Sequence, residues 1–164
     1  MIENQDKKPQ AITFIEIQAT GKTSFYKDHF FNTHLRISLD LLKTRHREKT
    51  IFECCIATRT NFVIDNTNPL RTDRERYIKP AKEGGYEVVG YYFSADLKGS
   101  IERNRLRNYK EIVPVSGVLG TYKKLDLPSY SEGFDKLYYV TIGSNNQFRI
   151  EDWKDEIVMN LTGR

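Results

Sequence analysis

Residues Ile12–Tyr26, ITFIEIQATGKTSFY, decide the fold. The stretch opens on apolar Ile12, Phe14, Ile15 and Ile17, passes through Gln18-Ala19-Thr20-Gly21-Lys22-Thr23, and continues into a helix-like run. A buried strand that turns through small residues into a helix N-terminus makes a cradle for an anion. Backbone N–H groups and the helix dipole point at the anion, Lys22 supplies a mobile positive charge, and Thr23 offers a hydroxyl to Mg2+. Gln18, Ala19, Thr20, Gly21, Lys22, Thr23 and Ser24 are the expected phosphate-binding residues. One position departs from the phosphate-loop pattern Gly-x-x-x-x-Gly-Lys-Ser/Thr, which wants glycine where this chain has Glu16. A carboxylate there repels a phosphate chain unless it points away. An ordinary strand–turn–helix with a solvated lysine is the plain alternative.

Working outward, 164 residues suit one domain, expected over residues 11–164 behind a polar lead-in at 1–10. Apolar residues at 38%, charged residues at 29% and aromatics at 12% argue for a folded chain rather than a disordered one. No apolar run nears the roughly 20 residues of a membrane span, and MIENQDKKPQ lacks the apolar core of a signal peptide. The expectation is a cytoplasmic protein with no membrane partner. A formal charge of +4 permits a nucleic-acid or nucleotide partner without demanding one. Cys54 and Cys55 are adjacent, which suits neither a disulfide framework nor a metal site, and His29, His34 and His46 show no metal-ligand spacing.

In chain order, strands are expected at Ile12–Ile17, Leu35–Leu39, Asn61–Asp65, Tyr86–Phe93 and Lys136–Ile142. Helices are expected from Gly21 to about Phe31, from about Leu41 to Thr58 with a break near Glu48-Lys49, and from Thr72 to about Lys82. Further helices are expected from Ser94 or Asp96 to about Leu106, near Val118–Lys124, and over Asp152–Leu161. Apolar strands alternating with helices predict a parallel α/β sheet covered on both faces, with ligands at the carboxyl ends of the strands.

The phosphate loop, Asp40, Asp65 and Ser94-Ala95-Asp96 then fall on one edge of the sheet. Asp65, ending NFVID, is placed to hold Mg2+ directly or through water, and Asn66 and Thr67 present polar groups to the same cleft. Asp40 alone reads as a helix N-cap; at the sheet edge it becomes a candidate to take the proton of an attacking hydroxyl. Lys43, three residues on, shares its helical face and can meet an anionic group of the acceptor. Ile101–Lys110, IERNRLRNYK, puts Arg103 and Arg107 one helical turn apart, as expected of a basic helical lid over residues 100–115. Read in isolation, the same segment is a solvated basic face.

These pieces, in this order, resemble the P-loop kinase domain of polynucleotide 5′-hydroxyl kinases and their bacterial ATP-binding relatives. The resemblance rests on GKTSFY, on ISLD at Ile37–Asp40, on VIDNTNP at Val63–Pro69 and on FSADLKGSIERNRLR at Phe93–Arg107. It implies a five-stranded parallel sheet in the order 2-3-1-4-5 and a reaction that uses ATP and Mg2+. It also implies that Lys22 and Thr23 hold phosphates and metal, Asp40 is the general base, Asp65 serves the metal site, and Arg103 and Arg107 are the lid arginines. The acceptor implied is a nucleic-acid 5′ end, along a groove lined by residues such as Lys43, Arg45, Arg47 and Arg71. The length leaves no room for the phosphatase domain that some members carry. Leu39 stands where these kinases often have arginine before the base, and Lys43 replaces a bidentate arginine with a point charge. The rival readings are a kinase for a nucleoside, sugar or antibiotic hydroxyl, and a nucleotide-binding module without turnover.

Overall fold

The computed structural model describes residues 7–94, 96–143 and 147–162. Residues 1–6 of the expected lead-in, Ala95 of the strand-end Ser94-Ala95-Asp96, and residues 163–164 lie outside the described residues. Strand β1 (Gln10–Ile15) runs through the middle of the sheet, parallel to β3 (Phe62–Ile64) on one side and β4 (Glu87–Phe93) on the other. Beyond them lie β2 (Leu35–Ile37) and β5 (Lys136–Ile142), also parallel. The first five strands stand in the expected order, 2-3-1-4-5.

A sixth strand corrects the expected five. Strand β6 (Phe148–Asp152) pairs antiparallel with β5, registering Tyr139 against Glu151. The helix expected from Asp152 therefore begins later, as α7 (Asp155–Thr162) in the numbering below. FRIED is short and charged, as edge strands often are, and so gives little periodic signal.

Six more helices connect the strands: α1 (Lys22–His29), α2 (Leu39–Leu42), α3 (Arg45–Thr58), α4 (Arg71–Glu83), α5 (Leu97–Arg105) and α6 (Val115–Lys124). The expected break near Glu48-Lys49 lies earlier, at Lys43, whose φ of 68° ends α2 before Thr44 caps α3. The Thr44 hydroxyl accepts from the Arg47 amide at 3.2 Å, satisfying one orphan donor of that helix end.

The strands alternate their side chains between two cores. Phe52, Tyr77, Ile78 and Ala81 of α3 and α4 pack on Ala11, Ile15, Ile64 and Val88 on one face. On the other, Phe25 and Tyr26 of α1 join Ile12, Phe14, Val63 and Phe93. Gly90 in β4 is required by close approach, since a Cβ there would lie 2.6 Å from Leu137 Cδ1. Burying both faces of β1 fixes its carboxyl end, and the loop that follows inherits that rigidity.

Candidate active site

After Ile15 the chain stays extended and buried through Glu16 and Ile17, held by Glu16 N–H donating to the Thr67 carbonyl at 2.9 Å. It then reverses with Ala19 at φ 64° and Gly21 at φ 90°, and α1 begins at Lys22. Gly21 meets two constraints: its φ lies in the left-handed region, and a Cβ there would meet Ile142 Cδ1 at 3.0 Å. Gln18 Nε2 donates to Thr121 Oγ1 of α6 at 2.9 Å, and Arg103 Nε of α5 donates to the Ala19 carbonyl at 2.9 Å. The loop is thus clamped from above by two helices.

Glu16 points inward. Its side chain is fully buried, accepts a hydrogen bond from the Thr20 hydroxyl and forms an ion pair with the Lys22 ammonium. Burial pushes its carboxyl up to about 7, against the pull of Lys22. Burial also opposes the charge on Lys22, but the carboxylates of Glu16 and Asp65 outweigh it and raise the ammonium's pKa. Lys22 therefore stays charged, with a counter-ion supplied by its own loop.

Asp65, 1% exposed at the end of β3, accepts from Arg36 Nε at 2.5 Å through Oδ2, while its Oδ1 faces Lys22 Nζ at 3.8 Å without a hydrogen bond. Arg36 of β2 also donates to Thr23 Oγ1 at 3.4 Å, and its guanidinium lies 5.7 Å from the Tyr26 ring centroid. An orphaned, buried carboxylate oxygen costs about 1–3 kcal/mol, which a ligand can recover. This oxygen and the Thr23 hydroxyl, with the Arg36 guanidinium between them, are hard oxygens of the kind Mg2+ takes, and in that donor chemistry they fit the metal.

A cavity of about 1150 Å³ joins this loop to the turn that carries Asp40. Its lining includes Gln18 to Ser24, Asp40, Lys43, Arg45, Asn66, Thr67, Arg103 and Arg107, with seven basic residues against four acidic ones. Asp40 is not a cap: Ser38 takes that position, and Asp40 lies in the first turn of α2, exposed to the cavity. Asn66 is a strut as well as a wall, since its Oδ1 accepts from the Leu39 amide at 2.9 Å and its Nδ2 donates to Glu48 at 2.6 Å. Arg107 lies beyond the C-terminus of α5 rather than a turn along it, paired with Glu111 at 3.9 Å. Arg103, bound to the loop backbone, ties α5 to the loop.

Arg47 and Arg71, both expected along the acceptor groove, lie outside the cavity lining. Arg47 is exposed on α3, and Arg71 is exposed at the start of α4 and donates to the Ser131 carbonyl at 3.4 Å. The buried arginine of that helix is Arg74. Its Nη1 donates to the carbonyls of Asn68, Pro69 and Asp126, while its Nε and Nη2 donate to Glu132. Arg74 thereby fixes the backbone that follows Asp65. Sequence reasoning missed Arg36 and Glu48. The signal for Arg36 was a charge inside a strand of a buried parallel sheet, where charges are rare unless paired.

No protein-family model matches the chain. Over 142 residues it is 30% identical to a protein of Acanthamoeba polyphaga mimivirus provisionally named a bifunctional polynucleotide phosphatase/kinase. That match covers 82% of this chain and 34% of the relative, so the chain spans about a third of it. Among solved structures, a gluconokinase from Sinorhizobium meliloti 1021 superposes with a TM-score of 0.59 at 16% identity, over 84% of this chain and 85% of that one. Chaetomium thermophilum Kti12, in complex with ADP-AlF3, gives 0.58 at 13%, over 83% and 92%. The chain shares the fold of these structures. The loop after β1 opens on the cavity that also holds Asp40. Among the described residues no helix is long and apolar enough to cross a membrane.

Proposed function

We propose that this chain transfers the γ-phosphoryl of ATP, with Mg2+, to a hydroxyl, and that its acceptor is the 5′-OH of a polynucleotide. The single observation that carries the reading is the shared cavity, in which Lys22 and Asp40 face one space from different strand ends. The sequence similarity to a protein named for polynucleotide phosphatase/kinase activity supports the acceptor.

In this reading Lys22 leaves Glu16 for the β/γ-phosphate oxygens, which offer a stronger anionic partner. Thr23 and Asp65 would hold Mg2+, which would supply neutralising charge to the phosphates. Asp40 accepts the proton of the attacking hydroxyl, whose oxygen forms the new P–O bond as the bond to ADP breaks. Arg107 donates to the equatorial oxygens of the moving phosphoryl, where charge is spread in the transition state. Arg103 keeps the lid docked on the cradle, while Lys43 and Arg45 meet the phosphates of the acceptor strand. Catalysis here is positioning and electrostatics.

The test offers labelled ATP against a panel of 5′-OH DNA and RNA ends, nucleosides and sugars. The expected result is label on oligonucleotide 5′ ends, with a KM that rises steeply with salt as neutralised phosphates release counterions. Salt-independent labelling of a nucleoside or sugar would replace the acceptor. ATP binding with transfer to none of them would reduce the chain to a nucleotide-binding module.

A further inference from the structure

We infer that Glu48 is a positioning residue of the acceptor end: its one buried carboxylate both holds the turn that carries Asp40 and aims Arg45 into the cavity. The inference rests on the hydroxyl-kinase reading for its catalytic consequence, but its structural content can be measured separately.

Asp40 lies on a helix of only four residues, Leu39–Leu42. A single turn fixes several dihedral angles for very few hydrogen bonds and does not persist on its own. Its ends give little help. Ser38, at the N-cap position, makes no side-chain cap, and its buried hydroxyl has no hydrogen-bond partner. Lys43 leaves the turn in the left-handed region. The hold comes from outside: the Leu39 amide donates to Asn66 Oδ1 at 2.9 Å, and Asn66 Nδ2 donates to Glu48 Oε1 at 2.6 Å. Since Asn66 immediately follows Asp65, this relay references the Asp40 turn to the same strand end as the proposed metal site.

The same carboxylate serves a second arm. Glu48 Oε2 accepts from Arg45 Nη1 at 2.8 Å, and Tyr77 OH donates to Oε1 at 2.9 Å while accepting from Arg45 Nη1 at 3.0 Å. Only one terminal nitrogen of Arg45 is engaged in these contacts, so the rest of its fork is available to an anion in the cavity. Burial, reinforced by the adjacent Glu48 charge, pushes the Tyr77 phenol up to about 12, so it remains a proton donor. Glu48 itself is 3% exposed.

The chemistry requires an acid at this position. Three donors, from Asn66, Tyr77 and Arg45, converge on two oxygens that must both accept. Glutamine has the same shape but replaces one acceptor with an N–H2 group. Whichever way it flips, a donor faces a donor and one arm is lost.

The test compares wild type with Glu48→Gln and Tyr77→Phe in the full chain, with a 5′-OH oligonucleotide as acceptor and ATP as donor. Glu48→Gln is expected to raise the acceptor KM and lower kcat, each by about tenfold, with the ATP dissociation constant within twofold of wild type. Hydrogen exchange at the Leu39 amide should quicken by about tenfold, with the β1 amides unchanged. Tyr77→Phe, which keeps the carboxylate and the core ring, should raise the acceptor KM by about threefold and leave ATP binding alone. This variant carries the test if Glu48→Gln does not fold.

Equal losses in ATP binding and acceptor use would overturn the proposal and leave Glu48 as a general stabiliser. So would Leu39 exchange unchanged in Glu48→Gln, or an unchanged acceptor KM in Tyr77→Phe. Failure of the kinase reading looks different: the wild type binds ATP but phosphorylates no hydroxyl, whatever Leu39 does.

Discussion

The two ends of the cavity hold their charges in opposite ways. At the donor end Lys22 is paired with Glu16 and faces Asp65, Arg36 is bonded to Asp65, and both carboxylates are buried. At the proposed acceptor end Asp40 and Lys43 stand exposed to the cavity, and Arg45, also exposed, is held from behind by Glu48. Buried charges are costly to leave alone, so the donor end carries its own counter-ions until a triphosphate displaces them. Exposed charges cost little to keep unpaired and contribute through long-range attraction that salt screens. In the proposed kinase reading, donor binding is an exchange of partners, whereas acceptor binding is an electrostatic encounter with a surface held ready. The two ends should respond differently to mutation, pH and salt.

The largest effect should come from Lys22→Ala. It removes the cation of the exchange and leaves Glu16 buried without its partner, so transfer should fall by about 10³-fold or more in kcat/KM. Wild-type-like turnover would break the donor half of the comparison. Arg107→Ala follows, with an expected loss of about 10²–10³ in kcat and little change in ATP dissociation constant, because its partner is the transition state. If ATP affinity drops in parallel, Arg107 binds the ground state instead.

Glu16 sharpens the comparison through pH. Its folded pKa, about 7, lies above the ordinary carboxylate value of 4.5. Between those values the folded protein binds the extra proton. The stability that Glu16 contributes is therefore fully present below about 4.5 and is lost as pH rises through about 7. Glu16→Gln should flatten that fall, by roughly 3 kcal/mol across the window, in urea titrations run from pH 4.5 to 8. Above pH 7 it should also tighten ATP binding by about tenfold, since no carboxylate then competes for Lys22. Identical pH profiles for variant and wild type would remove Glu16 from the exchange. The smallest effect is expected for Arg71→Ala, within twofold in acceptor KM, because Arg71 lies outside the cavity.

Much of this layout was legible in the sequence where the cause was local. Ile12–Tyr26 carries strand, turn and helix start in one stretch, and the first five strands took their expected order. Asp40 and Asp65 end up at one edge of the sheet because strand ends in a parallel sheet share that edge. What escaped depends on contacts distant in the chain. The direction of Glu16 is set by Thr20, Lys22 and the Thr67 carbonyl, and that of Arg36 by Asp65, 29 residues away. Glu48 looked like a helix break because its burial comes from Asn66 and Tyr77 across the fold. Arg107 looked helical because nothing in IERNRLRNYK marks Arg105 as the last helical residue.

In the proposed function the two ends of the cavity work separately, one holding ATP and the other activating a hydroxyl. The most direct test is Asp40→Asn, measured side by side for ATP dissociation constant and for kcat on a 5′-OH oligonucleotide. The account predicts an unchanged ATP constant, within twofold, and a kcat lower by about 10²–10⁴. An ATP affinity that collapses together with turnover would contradict it, and would assign Asp40 to the nucleotide and metal site.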